Sequence, residues 1–200
     1  MRQIDPMTLT QRENYKLLIG SVIPRPVAIV TTQSEMGVLN IAPFSFFSIV
    51  SSDPAIVSLA VQRKNGEAKD TARNLLATRE AVIHILDQDN VVAANQTAAQ
   101  LPAETSELGV SDFTTIPSST VAVPGLKEAK VRFETKLYQH VPITQGSQVD
   151  LLLLQVTAYH IDESIYQDGK IDPKGLQAVS RLAGNTYATI GEMFDIKRPD

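Results

Sequence analysis

The sequence predicts a mainly β fold of barrel or sandwich type with peripheral helices. Many short strand-like runs, only two or three stretches of helical spacing, and no regular alternation of strand with helix point to it. In chain order, Thr10–Ile19 reads as a short opening helix, which Pro24-Arg25-Pro26 breaks while biasing Arg25 toward extended backbone. Val27–Thr32 follows as a buried strand, with Gly37 in the turn after it. Leu39–Val50, apolar and hydroxyl-rich with Pro43 inside, reads as a strand interrupted by an irregular segment whose backbone can face a ligand. Ala55–Val61 is the next strand.

Helical spacing then takes over, with Asp70 expected to cap Thr71–Arg79 and Ala72, Leu75 and Leu76 on one side. Ala81–Leu86 returns to strand, and the alanine-rich Asn90–Gln100 to helix. Leu101–Ser119 has no clear period beyond one helical turn, and an aperiodic excursion of that length in a compact domain suggests a covering or binding role. Val131–Tyr138 alternates, with Val131, Phe133, Thr135 and Leu137 expected inward and Arg132, Glu134, Lys136 and Tyr138 wet. Val149–Ile161 is a long central strand, and Ser164–Ile171 pairs about Asp168-Gly169. No repeat, linker or compositional break divides the 200 residues, so one domain over 1–200 is expected.

Composition narrows the function. With 43% hydrophobic and 20% charged residues the chain is globular in character, and with no cysteine it has neither disulfide nor thiolate, so redox chemistry must come from a bound cofactor. A net charge of −4 gives no general attraction to nucleic acid or an anionic membrane. The start lacks a basic-then-apolar secretory pattern, and apolar runs such as Val149–Val156 are too short to span a bilayer, so a cytoplasmic location is expected.

Two segments carry the chemistry best. Asn40–Ser48 sets three phenylalanines beside an asparagine and two serines, which suits a flat ring with a polar edge as well as it suits aromatic core packing. Lys69–Asn74 opens a helix with a lysine, a threonine and an arginine near free backbone N–H groups, a combination that favours phosphate, though an ordinary capped surface helix reads the same way. Arg25 between its prolines and Arg181 before Gly184 are candidate basic groups, each equally readable as a surface or salt-bridging arginine. His84, His140 and His160 stand far apart, without metal-ligand spacing, and no metal is expected. Neither GxGxxG, GxxxxGK[ST] nor GxSxG occurs, which removes the support for dinucleotide-fold, P-loop and serine-hydrolase readings.

The order and spacing of Gly20–Thr32, Asn40–Phe47, Ser52-Asp53-Pro54, Lys69-Asp70-Thr71 with Asn74, Phe133-Glu134, the Gly146–His160 region, Asp168–Ile171 and Arg181–Tyr187 resemble the flavin reductase-like, FMN-binding split-barrel family over roughly residues 15 to 190. The resemblance implies a six-stranded antiparallel split barrel with peripheral helices, assembled as a homodimer with FMN near the subunit interface. It implies that Arg25 lies near the flavin and that Asn40, Ala42, Pro43, Phe44 and Ser45 face the ring or ribityl chain. Lys69 and Thr71 would hold the phosphate, Asn74 would support that end, and Arg181 would sit near the pocket or the partner subunit. Ala55 and Ala183 stand where relatives place proline and glycine.

By the same resemblance, hydride passes from NADH or NADPH to flavin N5. The protein supplies stacking, hydrogen bonds at the ring edge and positive charge, and no side chain is singled out as catalytic. Reduced FMN then leaves for a flavin-dependent partner enzyme or passes electrons on while bound. The alternatives are an FMN-binding electron carrier or flavin store reduced by a partner, and another planar cofactor as in the related pyridoxamine-phosphate oxidase-like and haem-utilisation proteins.

Overall fold

The computed structural model describes residues 1–143 and 148–199. The beginning of the Gly146–His160 region therefore lies outside the described residues. Seven strands make the main sheet: β1 (Ala28–Gln33), β2 (Leu39–Phe44), β3 (Phe47–Ser52), β4 (Ala55–Gln62), β5 (Glu80–Ile85), β6 (Val131–Pro142) and β7 (Val149–Ile161). Their order is β2-β1-β5-β6-β7-β4-β3, with every neighbouring pair antiparallel.

The connectivity itself bends this sheet. β2 and β3 are its two edges, yet only Ser45 and Phe46 join them in the chain. From Phe44 to Phe47 is three residue steps, no more than about 11 Å, so the sheet coils until its edges nearly meet. The result is the unclosed, split-barrel arrangement expected, with the split running beside β2; the Ala60 N–H, donating to the Phe46 carbonyl at 2.9 Å, extends the β3–β4 ladder by one rung toward it. The strand count rises from six to seven because the irregular residues predicted inside Leu39–Val50 are only Ser45 and Phe46, after which Phe47–Ser52 pairs with β4 as a strand of its own.

β1 is buried on both faces, which explains its unbroken apolar run. Ala28 and Val30 point into the barrel with Val57, Leu59, Val61, Ile83, Leu137, Leu152 and Leu154. Ile29 faces a second core with Ile41, Val82, Phe113, Val123 and Leu126. α2 (Asp70–Thr78) contributes Ala72 and Leu75 to the barrel core. The second core exists because the excursion after α3 (Val91–Gln96) lies on the outer sheet face, which explains why Leu101–Ser119 has no period of its own. α1 (Gln11–Ser21) is opened by a capping box between Thr10 and Glu13.

Polar latches hold the excursion down. The Thr31 hydroxyl donates to the Pro124 carbonyl at 2.8 Å. His84, fully buried, lies 2.9 Å from the Ile29 carbonyl through Nδ1 and accepts the Leu126 N–H at Nε2 (2.8 Å), so it is neutral; burial lowers its pKa to about 3. Glu134, expected to be wet, is 1% exposed: its carboxylate accepts from the backbone N–H and hydroxyl of both Ser119 and Thr120 and meets His160 Nε2 at 2.6 Å. Burial opposes its ionisation, but bonds from Thr120, Ser119 and His160 prevail and hold the pKa at about 2. Among the described residues, no helix is long and apolar enough to cross a membrane.

Candidate functional site

The barrel's split opens into a cavity of about 570 Å³ walled by Asn40, Ala42, Pro43 and Phe44 of β2, by Lys69, Asp70 and Thr71 at the start of α2, and by residues of the 64–68 and 97–101 segments. A smaller space of about 150 Å³ adjoins it, sharing Pro43, Phe44 and Lys69 and adding Ser45, Phe46 and, across the split, Ala60 and Gln62 of β4. The two sequence segments singled out for ring and phosphate thus meet in one groove.

Each wall has a local cause. β2 is an edge strand, so its outward backbone is not consumed by another strand. Pro43 has no N–H to leave unpaired there, and the Ile41 N–H is taken at 2.8 Å by Glu107, a buried carboxylate that also lines the cavity. Burial is the main cause raising the Glu107 pKa, with the Asp70 charge adding to it. Glu107 carried no sequence signal beyond its place in the aperiodic excursion.

The start of α2 differs from expectation in one respect. Asp70 is not its cap: Lys69 occupies that position in extended backbone, and no side chain caps the helix. Asp70, inside the first turn, pairs with Arg73, so Arg73 is spent on that carboxylate rather than aimed at an anion. The first-turn N–H groups consequently lack a side-chain acceptor, while Lys69 makes no ion pair among the described residues. Thr71 is held from behind. Asn40 Nδ2 donates to its Oγ1 at 2.9 Å and to Thr32 Oγ1 at 3.3 Å, and Asn74 Nδ2 donates to Thr32 Oγ1 at 3.2 Å. With its oxygen serving as acceptor, the Thr71 hydroxyl keeps its proton to donate. Asn74 therefore braces the network beneath the cavity rather than lining it.

Uncapped N–H groups, an ammonium without an ion pair among the described residues and a hydroxyl with a proton in hand are donors of the kind a phosphate takes, and the β2 wall with Phe44 offers apolar surface suited to a ring. These residues fit a phosphorylated flavin.

The two arginines lie apart from this cavity within the chain. Arg25, 7% exposed, donates to the carbonyls of Ile19 (2.7 Å), Val22 (2.6 Å) and Leu182 (2.9 Å), tying the end of α1 to the later chain. Arg181 is its cross-strand neighbour, stacked 4.4 Å above the Tyr187 ring and bonded to the Gly184 carbonyl. It borders a separate surface hollow with Val91, Val92 and Asn185. His140 meets Asp150 at 3.2 Å, so the three histidines serve three separate protein partners.

Residues 19–175 match the family described as flavin reductase like domain. The fold superposes on nitrilotriacetate monooxygenase component B from Bacillus cereus with a TM-score of 0.96 at 46% identity, covering 98% of each chain. It superposes on 2-nitrobenzoate 2-nitroreductase NbaA from Pseudomonas fluorescens with a TM-score of 0.90 at 26% identity, covering 99% of this chain and 96% of that one. The uncharacterized protein YwrF of Bacillus subtilis is 45% identical over 196 residues, 96% of each chain.

Proposed function

The chain belongs to the flavin reductase like domain family and is an FMN-binding oxidoreductase that takes hydride from NAD(P)H, and from that premise we propose that the groove between β2 and the start of α2 is where its FMN lies. The observation that carries this reading is the uncapped start of α2, with Lys69 unpaired and Thr71 oriented by Asn40, opening into the same cavity as the β2 wall. Lys69, Thr71 and the first-turn N–H groups hold the phosphate; Asn74 and Thr32 hold Thr71 in place. Ala42, Pro43, Phe44 and Ser45 shape the ring side, and Asn40 offers its amide at the junction. Bound FMN supplies the two-electron chemistry. The protein's part is to fix the flavin against a rigid barrel wall and to keep one end of it neutralised.

Arg25 and Arg181 reach a flavin only through assembly, and we assign them to the region where a second copy completes the site. Supporting a homodimer, Leu18 of α1, Val22 just after it, and Ile49 and Val50 of β3, the strand that the Arg25–Pro26 stretch contacts, stand exposed, an apolar surface of the kind that a partner covers. Similarity to a monooxygenase component supports delivery of reduced flavin to a partner oxygenase, whereas similarity to a nitroreductase supports a second reading in which bound FMN reduces a substrate in place.

A K69A/T71A double variant tests the site. FMN affinity should fall about 100-fold while riboflavin, which lacks the phosphate, binds nearly as before. Equal loss for both flavins would refute the assignment of the tail to α2. Steady-state turnover of NADH and NADPH with FMN in excess, against turnover with one equivalent bound, separates release of reduced flavin from retention.

A further inference from the structure

We propose that Lys64 is a second phosphate-binding cation in this cavity, carried on a stiffened hairpin beside Lys69. The proposal rests on the cavity's assignment to FMN and adds a residue to it. Residues 64–67 form a two-residue turn closed by reciprocal backbone bonds between Lys64 and Glu67, both 3.0 Å, with Asn65 at φ 52° and Gly66 at φ 84°. Positive φ at both central positions is what an Asn-Gly pair supplies at least strain, so the turn has one favoured shape. Its base is fixed just as firmly. Arg63 grips the fully buried Asp150 through two bonds, 3.0 and 2.7 Å, and Asp150 also meets His140. The backbone that presents Lys64 is therefore anchored to β7, deep in the sheet.

The charge count explains why the ammonium matters. A phosphate monoester carries about −1.5 to −2 at neutral pH, more than one ammonium and a helix start of about +0.5 can balance. Three carboxylates also line the cavity: Asp70 is paired with Arg73, Glu107 is bonded to the Ile41 N–H, and Glu67 makes no ion pair among the described residues. Lys64 Nζ donates at 2.6 Å to Gln100 Oε1, a neutral acceptor on the opposite wall. Its ammonium thus makes no ion pair among the described residues, and an anion within the cavity is a stronger acceptor than an amide oxygen. Gln100 offers no competing negative charge.

The test compares FMN and riboflavin binding, by quenching of flavin fluorescence, in the wild-type protein and in K64A, K64R and Q100A variants at low and moderate salt. K64A should weaken FMN roughly 10- to 100-fold, leave riboflavin unchanged and flatten the salt dependence; K64R should retain most of the affinity, and Q100A all of it. Loss of both flavins equally in K64A, or of neither, overturns the role of Lys64. Wild-type protein that binds FMN no more tightly than riboflavin overturns the assignment of the cavity instead, so the two failures are distinguishable.

Discussion

Two buried polar clusters sit on the same barrel and end differently. Around Glu134, four donors from Ser119 and Thr120 together with His160 converge on one carboxylate, so both of its oxygens are satisfied. Around Thr71 the network is ordered from below by Asn40, Thr32 and Asn74 but left open above, where no side chain caps the helix start and Lys69 makes no ion pair among the described residues. The closed cluster fastens chain to chain. The open one keeps donors in reserve, which is what binding an anion requires. Density of buried polar groups alone would nominate the Glu134 cluster; incompleteness is what favours the proposed site at the start of α2.

Acid should break the polar latches that hold the excursion, His84 and then the closed cluster, first and hardest. His84 is neutral in the fold with a pKa of about 3 against an ordinary 6.5, so its contribution is complete above pH 6.5 and is lost as pH falls toward 3. The cost reaches about 5 kcal/mol at the acid end. Glu134, held at about 2 against 4.5, adds a second loss below pH 4.5 by the same sign. Urea midpoints at pH 7, 5 and 4 should fall steadily, with the pH 7 to 5 portion absent in H84Q; a wild-type profile flat over that range would show that His84 is not a buried neutral group.

Next in size, E134A removes the buried acceptor shared by Ser119, Thr120 and His160 and should destabilise by about 3 kcal/mol in denaturant, while the ratio of FMN to riboflavin affinity stays unchanged. A changed ratio would mean that the two clusters are coupled and the comparison false. Smaller still, R25M leaves the Ile19, Val22 and Leu182 carbonyls without their donor and should cost about 2–3 kcal/mol. If FMN affinity in R25M falls only at protein concentrations where the proposed dimer dissociates, Arg25 acts through the proposed subunit contact; a fall at every concentration would place it against the flavin directly.

Much of this was legible in the chain. Local rules gave the β runs, the Thr10 helix start and the Asp168-Gly169 hairpin, because period, capping and turn chemistry are short-range. The order of landmarks led to the ring and phosphate segments. Lys64 had a readable signal in Asn65-Gly66, a turn signature overlooked beside the stronger helix pattern. The misplaced cap at Asp70 and the supposedly wet Glu134 share a cause: alternation and cap preference say which residue types suit a position, not which long-range partners arrive there.

By itself, then, the amino-acid order determined the elements, the absence of thiol chemistry and the residue types fit for a phosphorylated ring. Tertiary structure alone decided that residues 31 apart, Asn40 and Thr71, share a hydrogen bond, that the excursion buries Glu107 and Glu134, and that Arg25 spends its charge on carbonyls. The physical reason is that a polar group's role depends on whether folding satisfies it or leaves it unspent, and that follows from the coiling of a sheet whose edge strands are joined by two residues.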